Sequence, residues 1–236
     1  MNKRYYRLGI KAMCGRFGLD APTNKIKAQF NVNELTDMVP RYNIAPSQDI
    51  LFLCRSNGEQ GNHALFLRWG LIPYWSKDKK IGNSLINARC ETVSEKPAFR
   101  QSFKSRRGIV VMSGFFEWQQ GVIKQPYYFK SPNNNLLAVA ALWDSWQSPD
   151  GTEVVHSCTL ITTSADQLMS PIHHRMPVLL DTEARDLWMD NSHCDTQMLL
   201  SLLKPYTGID LMYYPVSPKM NNARFVSSEA IEPIQN

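Results

Sequence analysis

Short β-prone runs recur along this 236-residue chain, and the helical segments between them come one at a time. That pattern limits the fold more than any other feature. There is no strand–helix–strand alternation and no phosphate-binding glycine loop, so a doubly wound parallel sheet is excluded. The run Asp49 to Arg55, the Asn57-Gly58 turn signal and His63 to Trp69 read as a β-hairpin. Ile109 to Trp118 is apolar and β-prone. Residues 127–130, 136–142, 154–163 and 211–216 are further strand candidates. Helices are expected within residues 23–38, from near Asp181 with Leu187 and Trp188, and from near Asp195 with Met198, Leu199, Leu202 and Leu203. The expectation is an α+β single domain, with a curved, mostly antiparallel sheet and flanking helices.

Hydrophobic residues make up 43% and charged residues 20%, which supplies a core for one large domain or two small ones. No run approaches the roughly 18 apolar residues of a membrane-spanning helix, so no membrane partner is expected. Residues 1–13 carry Lys3, Arg4, Arg7 and Lys11 and no acid. They lack the apolar middle of a secretory signal, so export is not expected and a cytoplasmic location is. The net charge of +5 permits a polyanion partner without demanding one. Cys14, Cys54, Cys90, Cys158 and Cys194 are widely and irregularly spaced, with no C-x-x-C pair. Neither a zinc site nor a disulfide framework is indicated, and no metal or cofactor is expected.

Five features carry chemistry, the last of them shared by two segments. Met13-Cys14-Gly15-Arg16-Phe17 opens the first. If Met13 initiates and is removed, Cys14 gains a free α-amine beside its thiol, and aldehydes are the natural target of a 1,2-aminothiol. The amine titrates at about 7.7–8.0 and the thiol at about 8.5, so part of the amine is unprotonated at neutral pH. The dipeptide alone fits a buried structural cysteine better. Gly114-Phe115-Phe116-Glu117-Trp118 sets one carboxylate in an apolar strand, where burial raises its pKa toward general acid/base use. A solvent-facing or salt-bridged glutamate is the alternative. In Ile172-His173-His174-Arg175-Met176-Pro177, adjacent histidines on an extended chain point to opposite faces, which favours a proton shuttle with Arg175 on a phosphate over a metal site. Asn87-Ala88-Arg89-Cys90-Glu91-Thr92 puts an amide and a guanidinium on one side of a strand, able to hold a sugar hydroxyl and a phosphate, or to satisfy each other in a turn. Finally, residues 41–46 (Arg41, Tyr42, Asn43, Ile44, Ala45, Pro46) and 68–75 (Arg68 and Trp69 to Trp75) interleave cations and rings, as single-stranded nucleic acid binders do. An aromatic core with peripheral arginines explains either segment as well.

Taken in order, Cys-Gly-Arg-Phe, Arg-Tyr-Asn-Ile-Ala-Pro, Trp-Gly-Leu-Ile-Pro, Asn-Ala-Arg-x-Glu-Thr, Gly-Phe-Phe-Glu-Trp and His-x-Arg-Met-Pro-Val resemble the SOS-response-associated peptidase (SRAP) family, from Cys14 to about Pro218. The resemblance implies a barrel-like sheet in a domain spanning residues 14–236, with residues 1–13 a leader or an over-extended start. It implies a monomeric sensor of abasic sites in single-stranded DNA, which forms a covalent thiazolidine crosslink through Cys14, with autopeptidase and weak lyase activity. Asn87 would position the sugar and the amine, Glu117 would act as acid/base for ring closure and reversal, and His173 would assist sugar ring opening. Arg16, Arg89 and Arg175 would contact phosphates. Arg41, Asn43, Pro46 and Trp69 would complete the DNA-facing set.

One departure bears on the chemistry. In the family the cysteine follows the initiator directly, whereas residues 1–12 precede Met13 here. A peptide-bonded Cys14 has no free amine and forms a thiohemiacetal at best. Two rival activities stand beside the sensor. A cysteine peptidase or amidohydrolase would use Cys14 and His173 on peptides. A non-covalent single-stranded DNA-binding module would bind undamaged strands equally well and be salt-sensitive.

Overall fold

A computed structural model describes residues 15–56, 61–119, 124–192, 195–205, 208 and 210–234. In chain order the elements are β1 (Phe17–Leu19), α1 (Thr23–Phe30), β2 (Arg41–Ile44), β3 (Asp49–Cys54), β4 (His63–Trp69), β5 (Asn87–Arg89) and α2 (Arg100–Ser105). They continue with β6 (Arg107–Met112), β7 (Gly114–Trp118), β8 (Pro126–Lys130), β9 (Leu137–Gln147) and β10 (Val154–Ser164). The last are β11 (Arg175–Pro177), α3 (Thr182–Met189), α4 (Thr196–Ser201) and β12 (Met212–Pro215).

Two sheets share the work. β10, β4, β3, β6 and β9 form a ring that closes because β9 pairs with β10 as well as with β6. Among the described residues the joints of this ring are antiparallel except β4–β10, which is parallel. The second sheet, in the order β12-β8-β7-β1-β2, is antiparallel throughout. This is the α+β, mostly antiparallel, barrel-like arrangement that the sequence led us to expect.

β6 shows why the barrel is stable. All its residues are buried, and a run of β-branched side chains suits a strand covered on both faces. Its first residue, Arg107, is fully buried. The guanidinium donates to the carbonyls of Phe103 (3.0 Å) and Lys104 (2.8 Å) at the end of α2, and to Trp188 (2.9 Å) and Asp190 (2.7 Å) at the end of α3. Helix C-termini leave carbonyls without partners, so one arginine closes two helices onto the barrel.

Three differences from expectation have local causes. The apolar run 109–118 is two strands rather than one. Ser113 breaks it by donating its N–H to Gly18 O (2.8 Å) and accepting from Asp20 N at its hydroxyl (3.1 Å), so the chain leaves the barrel to pair with β1. The helix expected over residues 23–38 stops at Phe30. Asn31 takes a left-handed conformation (φ 47°) and bonds back to Lys27 O, a common helix stop. Asn62 then claims Phe30 O (2.5 Å). β1, β2 and β11 are only three or four residues long, too short for alternation to reveal them. The Asn57-Gly58 turn lies outside the described residues, while the strands it was expected to join pair in register from Asp49↔Arg68 to Cys54↔His63.

Candidate functional site

The start of the described chain is docked against Glu117. β1 pairs with β7 as Phe17↔Phe115 and Gly18↔Gly114, and Phe116 N donates to Arg16 O at 2.9 Å. Continued by two residues, the register sets Gly15 opposite Glu117. Gly114 makes the close approach of β8 to β7 feasible. A Cβ there would stand 2.5 Å from Phe129 O and from the Tyr128 ring. Glu117 is buried, lies across from Tyr127 on β8, and sits between buried Phe116 and half-buried Trp118. Cys14 lies outside the described residues. It is joined to Gly15 by one peptide bond, which holds consecutive Cα atoms about 3.8 Å apart.

Around this strand start is a polar lacing. Arg16 donates to Asn43 Oδ1 (3.0 Å), Met220 O (3.0 Å) and Asn221 O (3.2 Å), and burial lowers its pKa. Asn43 Nδ2 approaches the carbonyls of Met220, Asn222 and Phe225 at 2.9–3.1 Å. Trp118 Nε1 donates to Asn221 Oδ1 at 2.7 Å. The turn over residues 218–225 therefore belongs to the site's frame. Sequence reading missed it because, apart from Asn221 Oδ1, its contribution is made by backbone carbonyls, which carry no residue signature.

The second group of residues gathers at the C-terminal end of β10. On one side β5 runs parallel to it, with Leu160↔Asn87 and Thr162↔Arg89. Asn87 and exposed Arg89 share the face opposite buried Ala88, as the two-residue spacing implies. On the other side β11 pairs antiparallel, with Ser164↔Arg175. Arg175 binds the Glu91 carboxylate through both terminal nitrogens and donates to Thr162 O (2.7 Å). His173 is buried, and its Nδ1 lies 3.1 Å from Arg175 N. The two groups meet through Trp69, whose Nε1 donates to Ile86 O (3.0 Å) beside Asn87 while its ring packs edge-on against Phe17 at 5.3 Å.

Several expectations are corrected by burial. Trp69 is fully buried, with no ring face open to a base; its indole joins β4 to β5 and β1. The exposed rings of that segment are Tyr74 (56%) and Trp75 (48%), delivered by the turn at Gly70, whose φ of +126° suits only glycine. Asn43 is buried and its amide is committed to the 218–225 turn. Arg175 is buried, and its guanidinium is bound to Glu91 and Thr162 rather than open to a phosphate. Arg41 is bound to Asp49 O (2.6 Å) and Gln48 Oε1 (2.5 Å). Pro46 is half-buried. His173 and His174 do not point to opposite faces. Their rings stack with centroids 4.5 Å apart, because residues 169–173 form a turn closed by His173 N to Met169 O (3.0 Å). Among the described residues, no three of His, Cys, Asp and Glu are grouped to hold a metal ion.

The described cysteines Cys54, Cys90 and Cys158 are free thiols, and burial pushes all three above the usual thiol range. None is poised as a nucleophile. Cys194 lies outside the described residues. Among the described residues no helix is long and apolar enough to cross a membrane.

A short strand carrying a buried glutamate beside the chain start, with an Asn-Ala-Arg strand and a His-His-Arg turn on one barrel strand, defines a particular class of domain. The sequence profile of the SOS response associated peptidase (SRAP) family matches residues 13–223, and the chain belongs to that family. It is 42% identical over 225 residues to the abasic site processing protein YoqW of Bacillus subtilis, covering 93% of this chain and 99% of that protein. It is 39% identical over 221 residues to YobE, an abasic site processing protein of the same organism, covering 92% and 100%. The abasic site processing protein HMCES of Xenopus tropicalis is 37% identical over 191 residues, or 71% of this chain and 56% of that protein. A solved structure from Bacteroides thetaiotaomicron superposes with a TM-score of 0.84 at 24% identity, covering 94% of this chain and 100% of that one, which establishes the shared fold.

Proposed function

We propose that this chain processes abasic sites in single-stranded DNA by capturing the lesion covalently at Cys14. The observation that carries the reading is the pairing of β1 with β7, whose register, continued by two residues, sets Gly15 opposite the buried Glu117. The printed names of the relatives point to the same lesion.

The chemistry is a condensation. The abasic sugar opens to its aldehyde as the C1′–O4′ bond breaks: the C1′ hydroxyl gives up its proton, the ring oxygen gains one, and His173 assists this transfer. The free α-amine of Cys14 adds to the aldehyde carbon and one water is expelled, giving an imine. The Cys14 sulfur then attacks the imine carbon, the thiol proton passes through Glu117 to the nitrogen, and a five-membered thiazolidine closes. Asn87 orients the sugar. The reaction requires Cys14 at the N-terminus, either from initiation at Met13 followed by methionine removal or from self-cleavage of the Met13–Cys14 bond. Slow β-elimination from the imine would account for weak lyase activity. Tyr74 and Trp75 offer ring faces for neighbouring bases, and exposed Arg89 a phosphate contact.

The test is the intact mass of protein begun at Met13 after incubation with single-stranded DNA carrying one abasic site, against a strand with a reduced, aldehyde-free analogue. An adduct with the aldehyde strand alone, at the summed mass less one water and mapped to Cys14, is expected. Cys14→Ala removes it, Cys14→Ser leaves only an imine reducible by borohydride, and Glu117→Gln slows formation and release together. Wild-type yield from Cys14→Ala would sink the proposal.

A further inference from the structure

We infer that Glu91, acting through Arg175, is a positioning residue that holds His173 with its proton on Nε2. The inference rests on the reading of His173 as the proton-transfer group.

The β10–β11 ladder sets the orientation of the Arg175 peptide. Val178 N donates to Ile161 O (2.9 Å), and Ala165 N to His174 O (3.0 Å). In an antiparallel pair, hydrogen-bonded and non-hydrogen-bonded positions alternate. Ser164↔Arg175 is therefore a non-hydrogen-bonded pair, so the N–H and C=O of Arg175 both point away from β10. They point toward the ring of His173, whose Nδ1 lies 3.1 Å from Arg175 N and 3.3 Å from Arg175 O. The shorter contact has N–H as donor, so Nδ1 must offer its lone pair and the neutral imidazole carries its hydrogen on Nε2. Moving the proton to Nδ1 would set it against the peptide hydrogen and leave only the longer carbonyl contact.

What fixes that peptide is the Arg175 side chain. It is 9% exposed and clamped by Glu91 on one side and Thr162 O on the other. Thr162 is on β10, and Glu91 follows β5, with Cys90 N donating to Thr162 O at 2.9 Å. Three adjacent strands thus hold one guanidinium, and through it one peptide group. Among the described residues, the groups that bear on His173 include the stacked His174 ring, the Arg175 peptide and, through the Arg175 guanidinium, Glu91. Without Glu91 the guanidinium is a buried cation lacking its counter-ion, which favours its escape to solvent and displacement of the peptide that sets the tautomer.

The experiment is long-range 1H–15N correlation NMR on the full chain with 15N-labelled histidine, free of DNA, with His173 assigned by His173→Gln. The Nε2–H pattern is expected for His173 in wild type, with a shift toward Nδ1–H in Glu91→Ala. Glu91→Gln, which keeps one acceptor for Arg175, should fall between them. An Nδ1–H pattern in wild type overturns the inference, as does an unchanged pattern in Glu91→Ala. If that variant does not fold, Glu91→Gln is judged by the same criterion. Because no lesion is present, failure of the crosslinking reading would leave this readout unmoved.

Discussion

Two arginine–carboxylate pairs, one on β9 and one beside the end of β10, are built the opposite way round. In Arg106–Asp144 the acid is buried and the base is accessible, with side-chain exposures of 2% and 32%. In Arg175–Glu91 the base is buried and the acid is accessible, at 9% and 50%. The carboxylates respond in opposite directions. Burial raises the pKa of Asp144, partly offset by the N–H of Tyr74 and by Arg106. The hydrogen bonds from Arg175 hold Glu91 below the usual range, against a smaller effect of burial. An ion pair thus says little until one knows which partner has lost its water. In the first pair the carboxylate organises backbone, receiving Tyr74 N (3.0 Å) and Ser145 N (2.8 Å). In the second the guanidinium organises backbone, at the candidate site.

The contrast breaks if removing the accessible partner costs the same in both pairs. Glu91→Ala strands a buried guanidinium and should cost on the order of 3 kcal/mol in urea unfolding, read as a lower midpoint at constant slope. Arg106→Ala should cost about 1 kcal/mol, because Asp144 keeps two backbone donors and can take up a proton. A larger loss from Arg106→Ala would reverse the assignment of roles. The smallest effect lies in the pH dependence. Glu91, with a depressed folded pKa, contributes stability present above the ordinary glutamate value of about 4.3 and lost as pH falls through the folded value. Half-exposure keeps this to at most about 1 kcal/mol. Asp144, with a raised folded pKa, has the opposite slope, contributing less as pH rises from about 3.9 through the folded value. Glu91→Gln should therefore flatten the acid limb of the stability curve, and Asp144→Asn should steepen it.

Much of the frame was legible because it depends on local pattern. The β3–β4 hairpin, the long strands β9 and β10, and the helices after Asp181 and Asp195 lie where periodicity and polar starts put them. Asp181 and Asp195 both cap their helices through side-chain oxygens. The site was legible as a set of residue types, but not in the division of labour within it. Trp69, Asn43 and Arg175 were expected at the DNA surface, yet each is buried and spent on internal contacts. A tryptophan or arginine looks the same in sequence whether its ring or guanidinium faces water or a neighbouring strand. The 218–225 turn escaped notice because backbone carbonyls make most of its contacts.

By itself, the sequence determined the α+β character, the run of motifs that define the family, and the chemical types available near the chain start: thiol, carboxylate, amide and imidazole. These follow from spacing and from functional groups, which are properties of the covalent chain. Tertiary structure alone decided that β9 returns to β10 and closes the barrel, that Ser113 hands the chain to β1 and so docks Gly15 beside Glu117, and that Arg175 N–H turns toward His173. Those depend on which face of each strand meets which neighbour. A one-residue change of register would invert every such face without altering the composition or the motifs.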